Sequence, residues 1–149
     1  MIVVDTREQR PYEFPTAYVR DTLQSGDYSL RGFEDRIAIE RKKPSELFTN
    51  FTSTRDRFRR EWERLASHDA LHLIIEGDIY SCATQYSDHS RVNPHVVIAS
   101  LISWSRRFRF KFHFASDRLM AQALTYRILE DYWRANHQTA PSVDGPGES

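Results

Sequence analysis

Two short segments, Gly26-Asp27-Tyr28-Ser29-Leu30 and Arg36-Ile37-Ala38-Ile39-Glu40, alternate in polarity on either side of a link that contains Gly32. A period of two marks a strand, and a short glycine-bearing link joins two such strands as a hairpin. If Leu30 pairs with Ile37, the antiparallel register sets Tyr28 against Ile39 and Asp27 against Glu40. Tyr28, Leu30, Ile37 and Ile39 then share one apolar face, and Asp27, Ser29, Ala38, Glu40 and Lys42 share the other. Two carboxylates thus face each other across the hairpin, with an ammonium two residues along. Bare carboxylates at that range repel, and a hard divalent cation between them, Mg²⁺ or Mn²⁺, resolves the repulsion. The residues alone leave a second reading open, a cross-strand ion network on a solvated sheet face.

Other elements gather around the hairpin. Ile2 to Asp5 is a β-branched run that ends on a carboxylate, which suits a buried strand. Pro11 and Pro15 keep the next stretch irregular, and a weak helical pattern runs from Tyr18 to Leu23. Pro44 and Ser45 open a helix, and Ser53 or Thr54 caps another in which Phe58, Trp62 and Leu65 form the core stripe. Leu71 to Glu76 reads as a strand, with Glu76 expected to cap the Gly77-Asp78 turn in preference to approaching the cation. Asn93-Pro94 starts a helix with Val97, Leu101 and Trp104 buried, and Phe108, Phe110, Phe112 and Phe114 alternate as a strand. Ser116 is expected to cap a last helix carrying Met120, Leu124 and Ile128. This order implies an α/β fold with a mixed central sheet flanked by helices, one domain over residues 1–136 and a polar, disordered tail over 137–149.

Composition narrows the chemistry. Cys82 is the only cysteine, so no intrachain disulfide and no cysteine zinc site is expected, and no H-E-x-x-H motif occurs. No apolar run is long enough for a membrane span and the start lacks signal-peptide character, which reads as an intracellular protein, cytoplasmic in a prokaryote or virus and nuclear in a eukaryote. The formal net charge is zero, so anion binding rests on local clusters. Arg55, Arg57, Arg59, Arg60 and Arg64 form one, and Arg106, Arg107, Arg109 and Lys111 form another, read as a charged turn. Arg57, Arg60 and Arg64 fall on the helix side away from Phe58, Trp62 and Leu65. That stripe either tracks a DNA backbone or is a solvated face paired with Glu61 and Glu63.

Three segments add a resemblance. Val4-Asp5-Thr6-Arg7-Glu8, Gly26-Asp27-Tyr28 and Ile39-Glu40-Arg41-Lys42 resemble, in order, the V-D-x-R-E, G-D-Y and V-E-R-K-x-x-x-D signatures of the XPF-type nuclease family, the last a version of the PD-(D/E)xK motif. The resemblance implies a restriction-endonuclease-like fold and an Mg²⁺- or Mn²⁺-dependent endonuclease acting on branched DNA, leaving a 5′-phosphate and a 3′-hydroxyl. By matching position, Asp27 and Glu40 resemble the metal-binding acids and Lys42 the motif lysine. Asp5 resembles an acid that completes the metal site or holds a second ion. Arg7, Glu8 and Arg41 fill positions used around the scissile phosphate or to brace the site. Glu46 stands where the family usually has aspartate, and its role is open. Family members usually carry a tandem helix-hairpin-helix domain, which needs hairpin glycines. Gly26, Gly32, Gly77, Gly145 and Gly147 do not supply them, so a stand-alone nuclease domain is expected. It would act as a homodimer or with a targeting subunit through its late helices, with Trp104, Tyr126, Tyr132 and Trp133 as contact aromatics. The alternatives are a noncatalytic DNA-binding scaffold subunit and a junction-resolving or duplex nuclease with the same motif.

Overall fold

The computed structural model describes residues 1–78, 80 and 94–139. Strands β1 (Ile2–Asp5), β2 (Tyr18–Asp21), β3 (Tyr28–Leu30), β4 (Ile37–Lys42), β5 (Ala70–Glu76) and β6 (Phe110–Ala115) form one sheet in the order β2-β1-β3-β4-β5-β6. β1 runs parallel to β2 and antiparallel to β3, β3 and β4 form the hairpin, and β4, β5 and β6 are mutually parallel. Parallel neighbours require crossover connections. Helices α1 (Pro44–Asn50) and α2 (Arg55–Arg64) lie between β4 and β5, and α3 (Pro94–Phe108) lies between β5 and β6. α4 (Arg118–Asn136) follows β6 and runs into a 3₁₀ turn, His137–Thr139. The α/β class with a mixed, helix-flanked sheet is the one the order of elements implies.

Both faces of the sheet are covered. Ala38, Leu71, Leu73 and Ile75 pack with Leu47, Phe58, Trp62, Leu101 and Trp104 on one side. Tyr28, Leu30, Ile37, Ile39 and Ile74 pack with Tyr12, Phe33, Ala121 and Leu129 on the other. Coverage on two sides is the physical reason why β1 and β5 are nearly continuous apolar runs. The hairpin register is as the alternation requires, with Tyr28 opposite Ile39. The face of Ser29 and Ala38, however, is core rather than solvated, at 1% and 2% exposure. Ser29 Oγ is satisfied there by donating to the Ile37 carbonyl at 2.6 Å.

Several elements depart from their sequence patterns. Tyr18 to Asp21 is not helical but an exposed edge strand paired to β1. Its charged residues, Arg20 and Asp21, are of the kind that protects a sheet edge. Phe108 ends α3 instead of starting a strand, and Arg109 makes the sharp reversal into β6 with φ of 61°. Phe114 is 43% exposed, so the phenylalanine alternation describes only a partly covered face. Asp117, not Ser116, caps α4, accepting from the Met120 amide at 2.8 Å. The buried stripe of α4 is Ala121, Thr125 and Leu129, one residue on from the apolar repeat, because small side chains let the helix approach the sheet closely. Leu124 and Ile128 flank that stripe, while Met120 is exposed. Asn93, Cys82 and residues 140–149 lie outside the described residues.

Edge strand β6 is fastened to β5 by two imidazoles, His72 Nδ1 and His113 Nε2 lying 3.0 Å apart. Burial, with His113 and Lys111 nearby, pushes His72 down to about 4. The folded imidazole therefore stays neutral where the unfolded one, near 6.5, takes a proton. Its stabilising contribution is complete above the unfolded value and is lost as pH falls through the folded one. We expect His72→Gln to remove roughly 2 kcal/mol of the stability loss on acidification below neutrality. Thermal unfolding of the two proteins over that pH range checks this, and equal slopes contradict it.

Candidate active site

β1 and β4 run in the same direction, so the carboxyl ends of β1, β4, β5 and β6 and the start of β3 lie at one end of the sheet. There a cleft of about 330 Å³ is lined by Arg7, Glu8, Asp27, Glu40, Arg41, Lys42 and Glu46, among others. Seven of the residues singled out by sequence are thus brought together.

The local backbone explains how Asp27 arrives there. Gly26 has φ of 88°, and a Cβ on it would stand 3.1 Å from Ala38 Cβ, so only glycine allows the strands to close at this point. The Asp27 amide then donates to the Ile39 carbonyl at 2.9 Å, and Asp27 Oδ2 accepts from the Arg41 amide at 2.8 Å. Lys42 Nζ lies 4.0 Å from Glu40 Oε2, with the two side chains 16% and 13% exposed. Such burial rules out the solvated ion network. Burial pushes Asp27 up to about 6, with Glu8 and Asp5 adding to the rise. Burial and then the Asp27 charge push Glu40 well above the carboxylate range. Lys42 is pulled down by burial, but Glu40, Glu61, Glu46 and Asp27 outweigh this and keep it an ammonium. Two hard oxygen donors that resist ionising together suit Mg²⁺ or Mn²⁺, since Mg²⁺ commonly takes one or two carboxylates and fills its shell with water and phosphate. Among the described residues no three Asp, Glu, His or Cys side chains converge as a metal cluster.

Asp5 does not line the cleft. It is 2% exposed; Oδ1 accepts from the Leu23 amide at 2.9 Å and Oδ2 from Arg7 Nε at 2.7 Å. Burial pushes its carboxyl up, but those bonds outweigh the push and hold it below the usual range. It anchors Arg7 at the cleft. Arg41 alternates with Glu40 and Lys42, so its side chain turns to the α4 side of the sheet. There it binds the Glu76 carboxylate, donates to the Arg10 carbonyl at 2.6 Å and packs 4.3 Å from the Tyr12 ring centre. Glu76 does not cap the turn: it is the shared acceptor of Arg41 and of the wholly buried Tyr12 hydroxyl. Tyr12 carried no sequence signal, being one tyrosine in a proline-flanked loop. Glu46 accepts from the Lys43 amide at 3.2 Å at the start of α1 and reaches the cleft from that cap.

Helix α2 forms the neighbouring wall. Half-buried Glu61 adds negative charge beside Glu40 and Lys42, a role its place among surface charges concealed. Arg59, not the predicted stripe, takes up Asp56 and Glu63, at 3.3 and 3.5 Å. Arg57, Arg60 and Arg64 are exposed and have no acidic partner within ion-pair distance among the described residues. Arg64 Nε reaches Ser25 Oγ at 3.4 Å, beside Gly26, while Arg57 and Arg60 line a separate groove with Thr52, Thr54 and Asp56, so only the Arg64 end of the stripe approaches the hairpin. Of the aromatics expected at a partner contact, Trp104 is a core residue, 4% exposed between Phe51 and Phe58, and Tyr132 is bonded to Asp69. Trp133 is exposed and Tyr126 half-buried.

The raised value of Asp27 fixes a sign. The folded state keeps a proton that the unfolded state gives up near 3.8, so this group favours folding at low pH and the benefit is lost as pH rises through about 6. Asp27→Asn is expected to be about 2 kcal/mol more stable than wild type in metal-free neutral buffer, the gap closing in acid. Denaturant unfolding at both pH values checks it, and a less stable variant at neutrality contradicts it.

No curated protein sequence matches the chain. Among solved structures it is similar to XPF from Aeropyrum pernix, with a TM-score of 0.70 at 19% identity over 99% of this chain and 68% of that one. It is also similar to XPF from Aeropyrum pernix in complex with DNA, with a TM-score of 0.64 at 20% identity over 95% of this chain and 66% of that one. The chain therefore has the restriction-endonuclease-like fold and spans about two thirds of those proteins. A family model of the ERCC4 domain matches residues 4–128, which takes in every signature segment and the whole cleft, and the chain belongs to that nuclease-domain family.

Proposed function

We propose that this chain is a metal-dependent endonuclease that hydrolyses phosphodiester bonds in DNA, with branched DNA as its substrate. The observation that carries the reading is the largely buried Asp27 and Glu40 pair at the mouth of the hairpin, with Lys42 Nζ 4.0 Å from Glu40. Asp27 and Glu40 would hold the ion, with Asp5, whose oxygens are bonded to Arg7 and Leu23, completing the site from behind through Arg7. A bound Mg²⁺ or Mn²⁺ supplies Lewis acidity toward the scissile phosphate and the attacking water. Lys42 orients that water and offsets charge developing on the phosphate oxygens. Arg7 and Glu8 at the cleft mouth position the strand, and Arg41 braces the strand end that carries Glu40 and Lys42. Arg57, Arg60 and Arg64 track the phosphate backbone beside the cut.

Choice of DNA structure falls to a partner, either a second copy or a targeting subunit, meeting α4 where Trp133 is exposed. No helix among the described residues is long and apolar enough to cross a membrane. On this reading the protein is intracellular, cytoplasmic in a prokaryote or virus and nuclear in a eukaryote.

The test is cleavage of flap, fork, four-way junction, duplex and single-stranded DNA with Mg²⁺ or Mn²⁺. We expect branched DNA to be cut with a 5′-phosphate product, Asp27→Ala to abolish cutting, and Lys42→Ala to slow it roughly a hundredfold. DNA binding without metal-dependent cutting would instead assign a scaffold role, and preferential cutting of junctions or plain duplex would reassign the substrate. The arginine stripe has its own readout in salt-dependent binding. Replacing Arg57 and Arg60 by alanine should weaken binding to all DNA shapes alike and lower the salt slope by about 1 for each phosphate that is no longer neutralised. An unchanged slope removes α2 from the interface.

A further inference from the structure

We propose that Glu76, seated by Tyr12, is a positioning residue of this site, holding the Arg41 guanidinium on the α4 side of the sheet and away from the Asp27–Glu40 pair; the inference rests on the function proposed above. Arg41 sits between Glu40 and Lys42 on β4, and its backbone amide already holds Asp27 Oδ2 at 2.8 Å. An arginine so placed is the natural counter-ion of two crowded acids, and its swing toward them would cancel the charge that draws a divalent ion. The fold gives the guanidinium other partners. Nε binds Glu76, Nη1 binds the Arg10 carbonyl at 2.6 Å, and Glu8 Oε1 lies 3.5 Å away. The Arg41 and Glu76 side chains are 11% and 8% exposed, so this is a desolvated pair and not a surface contact.

Glu76 is itself fixed from two directions. The Tyr12 hydroxyl donates to the same carboxylate oxygen as Arg41, and the Tyr12 ring packs against Arg41 and, at 5.1 Å, against Arg118. Arg118 ties this arrangement to α4 by donating to the Arg10 and Pro11 carbonyls, both at 2.9 Å. The carboxylate is therefore held from two sides, and at the strand end, where Arg41 borders the cleft, it adds to the strand's alternation in keeping the guanidinium on the α4 side.

The experiment measures Mn²⁺ affinity without DNA, from the spin-resonance signal of free Mn²⁺, for wild type, Glu76→Gln and the double variant Arg41→Gln/Glu76→Gln, each with its Tm. Glu76→Gln is expected to weaken Mn²⁺ binding about tenfold, because Arg41 is released toward the acids. The double variant is expected to return to within about twofold of wild type, because the released charge is gone. A role confined to folding would lower Tm and leave the affinity alone. An unchanged affinity in a folded Glu76→Gln protein, or a double variant as weak as the single one, overturns the proposal. Should Glu76→Gln fail to fold, Tyr12→Phe keeps the ion pair and removes one donor; a weaker shift in the same direction supports the proposal and no shift overturns it. Wild-type protein that binds no Mn²⁺ overturns the nuclease reading, and this inference with it.

Discussion

The structure turns on a repulsion. Asp27 and Glu40 face each other where the β3–β4 hairpin opens, in a place that burial makes hostile to two negative charges. A fold tolerates such a pair only if its environment forces the approach and some ligand relieves it. Here the environment is the sheet itself. Coverage of both faces locks the register, and a slip of one residue would turn every core side chain of β4 to the wrong side. Gly26 allows the strands to close, and the amides of Asp27 and Arg41 pin the backbone on either side of the acids.

The surrounding cations are distributed so that the acids are not neutralised from within. Arg7 is taken by Asp5 and Arg41 by Glu76, each arginine tied to a carboxylate outside the pair. Lys42, 4.0 Å from Glu40, is a compact point charge rather than a planar fork, while Arg7 borders the same cleft with its Nε committed to Asp5. This arrangement leaves the pair without a fixed guanidinium partner, so its oxygens are open to a divalent ion that displaces their protons. The exposed arginines of α2 supply the opposite sign on the neighbouring helix.

Much of this was legible in the sequence because it follows from period and spacing. Alternation at residues 26–30 and 36–40 set the hairpin register, and with it the meeting of Asp27, Glu40 and Lys42. Helical spacing likewise carried the stripes Phe58–Trp62 and Val97–Leu101–Trp104. What escaped depends on contacts between distant segments. The edge strand β2 has no buried face and hence no period, and α4 meets the sheet through Ala121 and Thr125, which apolar patterning does not register. Tyr12 and Glu76 lie far apart along the chain and are joined only by folding, while Glu61 looked like one more surface charge. Helical spacing points Trp104 into the buried stripe and aromatic identity points it to a partner contact, and the fold takes the first.

The central claim is that Asp27 and Glu40 together form a divalent-cation site, and its most direct test is calorimetric titration of Mn²⁺ into the protein slightly below neutral pH, against Asp27→Asn/Glu40→Gln. Because both acids sit above their ordinary values, the account predicts that wild type binds the ion with release of protons, seen as a dependence of the heat on the buffer's ionisation enthalpy, and that the double variant binds none. Equal binding by the two proteins would place the ion elsewhere and contradict the account.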